Sequence, residues 1–199
     1  SNSRLPHVRT DQALYAQYGT TLENLYVGRS WKLRPDLYAR STLGLFESMY
    51  GGVSAEVLWK PVNSPLALGL EGNYVVQRDY DQRLSFRDYK TFTGHASAYY
   101  ELGGGYLMQV DAGRYLAGDY GGTLSLDRTF ANGWKVGGFF TLTNVSAEEF
   151  GEGSFDKGFR FEIPLDWMLG TPSRNRFGTT IRPTPVSYPQ LTMPTTKTI

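Results

Sequence analysis

The sequence predicts an all-β fold, an antiparallel up-and-down transmembrane β-barrel of about 10–12 strands, either complete or part of a larger barrel. Three observations predict it. Apolar and polar residues alternate over long stretches, these stretches are about 9–13 residues long, and short connections alternate with longer ones. The 23 Gly and 14 Tyr among 199 residues also suit strands and turns better than helices.

Ten strands follow from the alternation. Val57 and Trp59, for example, alternate with Glu56 and Lys60, and a single apolar face per stretch indicates antiparallel strands. The predicted strands cover residues 22–32, 37–47, 52–60, 66–78, 91–102, 106–116, 122–130, 134–145, 158–168 and 175–183.

The predicted connections are of two kinds. Short ones lie at 32–37, 61–65, 102–106, 130–134 and 169–174, where Asn132-Gly133 is a strong hairpin signal. The connections at 46–52, 78–90, 117–121 and 146–157 are mostly longer and more charged. With ten strands and a short first turn, both termini fall at the end that carries the long connections. Residues 13–18 and 186–193 are candidates for further strands.

A soluble lipid-binding barrel, with its apolar face inside and its polar face outside, is the main structural alternative. The polar register favours a membrane barrel, because small residues such as Thr93 and Ser97 mix there with charges of both signs, as in a wet lumen. Trp31, Trp59 and Trp167 fall near strand ends on the apolar register, as aromatic residues at membrane interfaces do.

The alternation assigns each strand residue to one face of the sheet. The residues predicted to face lipid are Val57, Trp59, Leu68, Leu70, Ala96, Ala98, Val110, Leu124, Leu126, Val136, Phe140, Leu142, Phe161, Ile163 and Leu165. The residues predicted to point inward are Glu56, Glu71, His95, Asp111, Asp127, Thr141, Arg160 and Glu162.

Composition limits the other possibilities. The net charge of +1 argues against a nucleic-acid partner, and the absence of Cys excludes disulfides and thiolate metal sites. The first residues do not form a signal peptide. We expect an N-terminal arm at 1–20, the barrel at 21–183 and a Pro/Thr-rich tail at 184–199, in a chain that is one piece of a larger protein.

Four segments of the sequence carry a more specific signal than the alternation of apolar and polar residues. The sequence reads VLWKP at 57–61, QRDYDQRLSFRDYKTFTGHASAYYE at 77–101, AGRYLAGDYGGTLSLDRTFANG at 112–133 and NVSAEEFGEGSFDKGFRFEIPLDWM at 144–168. Together these segments resemble the C-terminal region of the YjbH/GfcD family of exopolysaccharide and capsule secretion proteins. The resemblance extends over about residues 5–183, with the same order and similar spacing.

The resemblance implies an outer-membrane β-barrel of a Gram-negative bacterium that acts in the export or assembly of extracellular polysaccharide. It also implies the partners: outer-membrane lipids, the polysaccharide, periplasmic and lipoprotein partners of the same secretion system, and the remainder of a larger parent chain. We expect no enzymatic activity, no cofactor and no nucleic-acid partner.

His95 is the only histidine within a predicted strand. One hypothesis is a barrel-embedded enzyme that acts on lipid or glycan, with His95 as a general base. No Ser-His-Asp or metal-ligand spacing surrounds it. The sequence therefore favours a lumen histidine held by a carboxylate or a hydroxyl group.

Charged and aromatic residues interleave at 77–89, a pattern typical of sugar contacts, although a self-paired surface loop would also produce it. The predicted lumen or glycan contacts are Arg78, Asp79, Tyr80, Asp81, Arg83, Arg87, Asp88, Tyr89, His95, Arg160 and Glu162.

The connection at 146–157 combines acidic residues with glycines. The spacing of a calcium loop is absent, and no metal site is expected. An acidic loop with tight turns is the simpler interpretation, and a gating or docking loop is the alternative. Its residues are Glu148, Glu149, Glu152, Asp156 and Lys157.

Overall fold

The strands pair with one another in sequence order. The computed structural model describes residues 12–15, 17, 21–145, 156–164 and 176–181. Its elements are α1 (Gln12–Tyr15), β1 (Leu25–Arg34), β2 (Leu37–Leu45), β3 (Tyr50–Trp59), β4 (Leu66–Arg78), β5 (Phe86–Gly103), β6 (Tyr106–Arg114), β7 (Tyr120–Thr129), β8 (Lys135–Thr143), β9 (Asp156–Pro164) and β10 (Arg176–Ile181). The ten strands form one sheet in the order β1 to β10, and each neighbouring pair is antiparallel. The predicted all-β meander is confirmed.

The hairpin predicted at Asn132-Gly133 is also confirmed. The Asn132 side-chain oxygen accepts a hydrogen bond from the Trp134 backbone N–H at 3.2 Å. The backbone N–H of Phe130 donates to the Trp134 carbonyl at 2.8 Å. These bonds close the turn between β7 and β8, which explains why its sequence signal is reliable.

Two predictions about strand limits are wrong. Strand β5 begins at Phe86, five residues before its predicted start, because a bulge between Val76 and Arg78 lets pairing continue with Arg78 opposite Phe86. Within 13–18, where a further strand was a candidate, residues 13–15 belong to the helical turn α1. The candidate strand at 186–193 and the tail at 184–199 lie outside the described residues.

The two faces of the sheet have opposite chemistry, and the apolar face is the exposed one. Leu70 is 65% exposed and Phe140 is 39% exposed, whereas Asn73 and Thr93 are each 1% exposed. Every described member of the predicted lipid-facing set is exposed or half-exposed, and every predicted inward residue is buried or half-buried. Leu165 lies outside the described residues. The register predicted from the sequence is therefore confirmed.

One end of the polar face is filled with apolar side chains. Tyr50 and Val75 are both 0% exposed, although they share the register of the polar residues Ser54 and Asn73. This aromatic cap consists of Tyr15, Phe46, Met49, Tyr50, Val75 and Leu116, with Tyr80, Tyr89 and Ala117 packed against it. It lies at the end of the sheet where the β2–β3, β4–β5 and β6–β7 connections meet.

The two outer strands differ from the others in exposure. All ten residues of β1 and all six of β10 are exposed. Among the described residues, β1 pairs only with β2 and β10 pairs only with β9. Both strands therefore have one edge without a described partner strand. The described helix is also too short to cross a membrane.

We expect Gly113→Ala to destabilise the sheet. A Cβ at Gly113 would collide with the backbone carbonyl of Gly94 on β5, so the β5–β6 ladder must shift. Overpacking of this kind costs about 1–3 kcal/mol of unfolding free energy, measurable by denaturant titration in the complete protein. Gly69→Ala is the control, because its nearest neighbour, Ser97 Cβ, would lie at an ordinary 3.6 Å. Equal losses from both variants would contradict the close approach.

Candidate functional site

His95 lies near the middle of the polar face and is buried, with 7% exposure. Its ring meets the Tyr115 ring edge-on, with 4.7 Å between the ring centroids. Its Nε2 is buried and makes no hydrogen bond within the described part of the chain. The predicted position of His95 on the inner face is confirmed, but its closest ring neighbour is an aromatic residue.

Two groups of side-chain hydrogen bonds lie on either side of His95, one that joins β7 to β8 and one that joins β5 to β6. The Tyr115 hydroxyl lies 2.7 Å from Thr123 Oγ1, which in turn lies 2.7 Å from Thr141 Oγ1. On the other side, Ser97 donates to Asp111 at 2.5 Å, and Gln109 donates to both oxygens of the same carboxylate at 2.8 and 2.9 Å. The network satisfies polar groups that would otherwise be costly to bury.

Asp119 lies in the β6–β7 connection beside this network and is 5% exposed. Burial raises the pKa of its carboxyl group, while the Asp119 backbone N–H, Thr143, His95 and Arg114 lower it to a smaller extent. The net rise means that folding favours the protonated form of Asp119.

Ion pairs connect other strands across the polar face. Arg40 on β2 donates to Glu56 on β3 at 2.8 Å. Arg160 on β9 reaches Asp127 on β7 at 3.1 Å, and Lys135 approaches the same carboxylate at 3.3 Å. The two residues of each ion pair lie on adjacent strands or, for Arg160 and Asp127, on strands with one other strand between them. The inward charges therefore pair along the wall of the sheet.

A groove opens on the polar face from the end opposite the aromatic cap, and along β1 it extends as far as Tyr26. It consists of two adjoining cavities of about 400 and 810 Å³, which share Arg40, Glu56, Leu58 and Lys60. The smaller cavity extends towards β5 and includes Tyr99, and the larger extends towards β1. Pockets of about 300–1,000 Å³ are the usual size for small-ligand sites.

Arg78 closes the end of the polar face that carries the aromatic cap. It is 0% exposed, and its guanidinium group donates to five backbone carbonyls, those of Leu22, Glu23, Glu47, Gln82 and Arg83, at 2.5–3.2 Å. These carbonyls belong to the segment before β1, the β2–β3 connection and the β4–β5 connection. A glycan outside the protein cannot contact Arg78 in this position.

Tyr15 connects α1 to Arg78 and to the β4–β5 connection. Its hydroxyl donates to the Arg78 carbonyl at 2.5 Å, and the Gln82 side chain donates to the Tyr15 carbonyl at 2.6 Å. The Tyr15 ring packs edge-on against Tyr80 at 5.1 Å between centroids. The helical turn therefore forms part of the closure.

Most other residues of the predicted sugar-contacting segment bind one another. Asp79 accepts a hydrogen bond from the Tyr80 N–H at 2.8 Å and lies 3.9 Å from Arg87, whose guanidinium sits 4.3 Å from the Tyr80 ring centroid. Asp81 accepts from the Arg83 N–H at 3.0 Å. These contacts are those of a self-paired loop.

Four residues of this segment belong to β5 and not to a loop: Phe86, Arg87, Asp88 and Tyr89. Tyr89 is half-buried, and its hydroxyl donates to the Leu116 carbonyl, whereas Asp88 is exposed. The loop predicted to run to residue 90 therefore ends at Ser85.

The remaining predicted site residues are distributed between two regions. Glu162 lies 3.5 Å from Arg176 and 3.9 Å from Lys135, so it extends the ion pairs around Arg160. Asp156 is buried and Lys157 is exposed at the start of β9. Glu148, Glu149 and Glu152 lie outside the described residues, and the gating or docking role of this connection stays a prediction.

Sequence reasoning missed three residues of the site. Tyr99 shares its register with His95 and Ser97, so period-two alternation places it in the groove. Tyr115 and Asp119 lie in a connection, where no periodicity indicates which side chains turn inward.

The described residues contain no cluster of three or more His, Cys, Asp or Glu arranged to hold a metal ion.

Comparison with known proteins decides the family. A family model named YjbH and described as "Exopolysaccharide biosynthesis protein YbjH" matches residues 1–185. The chain belongs to the YjbH family. It is 42% identical over 180 residues to a protein of Escherichia coli (strain K12) described as "Uncharacterized lipoprotein YjbH". No solved structure matches the chain.

The chain represents only part of this relative. The match covers 88% of the chain but 26% of the E. coli YjbH protein. The ten-stranded sheet with its groove and cap therefore corresponds to about a quarter of the relative's length. The printed description of that E. coli protein calls it a lipoprotein.

We expect Arg78→Lys to destabilise the protein strongly. A Lys ammonium has three donors and cannot serve five carbonyls, so the change should lower the unfolding free energy by about 2–4 kcal/mol. Arg87→Lys is the control, because Arg87 is exposed and its pairing with Asp79 should contribute less than about 1 kcal/mol. Denaturant unfolding of both variants measures the difference. Similar values would show that Arg78 does not hold the cap.

Proposed function

We propose that the chain forms the wall, or part of the wall, of an outer-membrane β-barrel that acts in the export or assembly of an extracellular polysaccharide. The single observation that carries this proposal is the exposed apolar face of the sheet, in a member of an exopolysaccharide biosynthesis family. Lipid is the environment in which such a face is stable.

The exposed face argues against a water-soluble barrel. In a soluble barrel the apolar register would be inside, whereas here Val27, Leu70 and Phe92 are 53–68% exposed and the opposite register is buried. A continuous apolar surface of this extent marks an interaction with a membrane or a partner. The polar and ionic contacts on the other face suit a lumen that contains water.

The edges of the sheet lead to a second part of the proposal. Backbone N–H and C=O groups cannot remain unpaired in lipid, so the outer edges of β1 and β10 require partners. In the complete protein these edges pair with each other or with strands from the remainder of the larger parent chain. The coverage of only 26% of the E. coli relative leaves ample sequence for such strands.

The proposed location is the outer membrane of a Gram-negative bacterium, consistent with the lipoprotein description of the relative. There the barrel would contact outer-membrane lipids, the polysaccharide, and periplasmic and lipoprotein partners of the same secretion system. The sheet presents surfaces for the first two in its apolar face and its polar groove.

The proposal includes no enzymatic step. Ser97 donates its hydroxyl hydrogen to Asp111, not to His95, so these three residues do not form the relay that a serine nucleophile requires. His95 contacts Tyr115, which in turn bonds Thr123. We assign His95 a structural role in the lumen wall.

Leu70→Arg tests the membrane contact. Near the bilayer midplane, an Arg on the lipid side costs about 2–4 kcal/mol. Leu58→Arg is the matched control, because Leu58 is half-buried on the register of Glu56 and Lys60 and pairs with Gly69, whereas Leu70 is 65% exposed on the opposite register. On this inner side the carboxylates of Glu56 and Glu71 lie one step along the same face, so the cost should be much smaller. Unfolding of the complete protein from lipid vesicles measures both; equal costs, or the reverse order, would exclude lipid contact.

His95→Gln tests the absence of catalysis in the full-length protein. We expect normal amounts of secreted polysaccharide, because Gln keeps a polar group at this buried position. Deletion of the whole protein should reduce secretion. Loss of secretion by the Gln variant, with normal amounts of folded protein in the outer membrane, would instead favour an enzyme that uses His95.

A further inference from the structure

The groove differs chemically from the rest of the polar face. Three cations and three carboxylates line its two cavities, so their charges balance: Lys32, Arg40, Lys60, Glu56, Glu71 and Glu101. Around His95, by contrast, Ser97 bonds Asp111, and Thr123 bonds both Tyr115 and Thr141, so these polar groups are occupied by one another. The groove offers a ligand open space lined by partly exposed ion pairs.

We propose that the groove binds a segment of an uncharged glycan chain, an inference that rests on the proposed function and specifies where and how the polysaccharide is held. The bound segment would enter from the open end of the groove. The Arg78-centred closure with its aromatic cap blocks the opposite end.

The lining suits sugar rings. Tyr26 and Tyr38 line the larger cavity and Tyr99 lines the smaller one, and aromatic faces stack on the CH groups of a pyranose. Leu58 adds an apolar surface that both cavities share. Sugars present both CH faces and hydroxyl groups, so a lining of this mixed character matches them better than it matches a purely apolar lipid chain.

The ion pairs explain how hydroxyl groups would be held. The Arg40–Glu56 pair at 2.8 Å is only partly exposed, with 22% and 32% of the two side chains accessible. Lys60 and Glu101, 3.7 Å apart, are more open, with 31% and 61% accessible. Each pair places donors beside an acceptor, and a sugar hydroxyl can both donate and accept.

Charge balance selects against acidic polymers. An anionic glycan would gain contact with Lys32, Arg40 and Lys60 but would bring its charges close to Glu56, Glu71 and Glu101. Sites for polyanions normally carry an excess of positive charge. The groove carries none, so its complement is a glycan whose sugars lack net charge.

Photocrosslinking in cells that make the protein's own exopolysaccharide tests this inference. The full-length protein would carry the photoreactive residue in one of two variants, Tyr99→p-benzoylphenylalanine or Tyr100→p-benzoylphenylalanine. These neighbours lie at the same depth on opposite faces, with Tyr99 in the groove and Tyr100 41% exposed on the apolar face. Tyr38→p-benzoylphenylalanine probes the larger cavity independently, in case the Tyr99 variant does not fold.

We expect adducts with neutral sugars from Tyr99 and Tyr38 and none from Tyr100, and these adducts should vanish in a strain that cannot synthesise the exopolysaccharide. No glycan adduct at either groove position, equal adducts on both faces, or adducts rich in uronic acids would overturn the inference. Membrane fractionation of the same cells separates the two proposals. Protein in the outer membrane without groove adducts refutes the glycan site alone, and protein absent from the outer membrane refutes the proposed function.

Discussion

The structure depends on the opposite orientation of successive side chains along a strand. Because ten strands keep this alternation in register, one face collects the apolar residues and the other collects hydroxyl, amide and charged groups. The polar groups must then find partners on their own side. Thr123 between Tyr115 and Thr141, and Asp127 between Arg160 and Lys135, show how neighbouring strands supply those partners.

Local patterns in the sequence predict the features that local interactions decide. Period two places Leu70 outside and Asn73 inside, and Asn132-Gly133 predicts its hairpin, because each depends on residues a few positions apart. The start of β5 is missed because a bulge beside Arg78 lets charged residues continue a strand. Pairing of β1 or β10 with a further strand would depend on residues distant in the chain, where alternation carries no information.

In the candidate site, too, local features can be predicted from the sequence and long-range contacts cannot. The inward register of Arg40, Glu56 and His95 is predictable, but the identity of each partner is not. Arg78 is the clearest case. Its charged surroundings in the sequence indicate a solvated loop, yet the side chain is completely enclosed by carbonyls from three separate segments. Enclosure of this kind arises only when the connections converge, so no local pattern can reveal it.

The hydrogen bonds of Arg78 differ widely in sequence separation, and this difference bears on the order in which the protein folds. Its bonds to Leu22 and Glu23 span 56 and 55 residues, and its bond to Glu47 spans 31, whereas those to Gln82 and Arg83 span 4 and 5. Long loops carry a larger entropic cost of closure than short ones. We therefore expect the β4–β5 turn to enclose Arg78 before the segment that precedes β1 docks onto it, so that this end of the polar face closes late in folding.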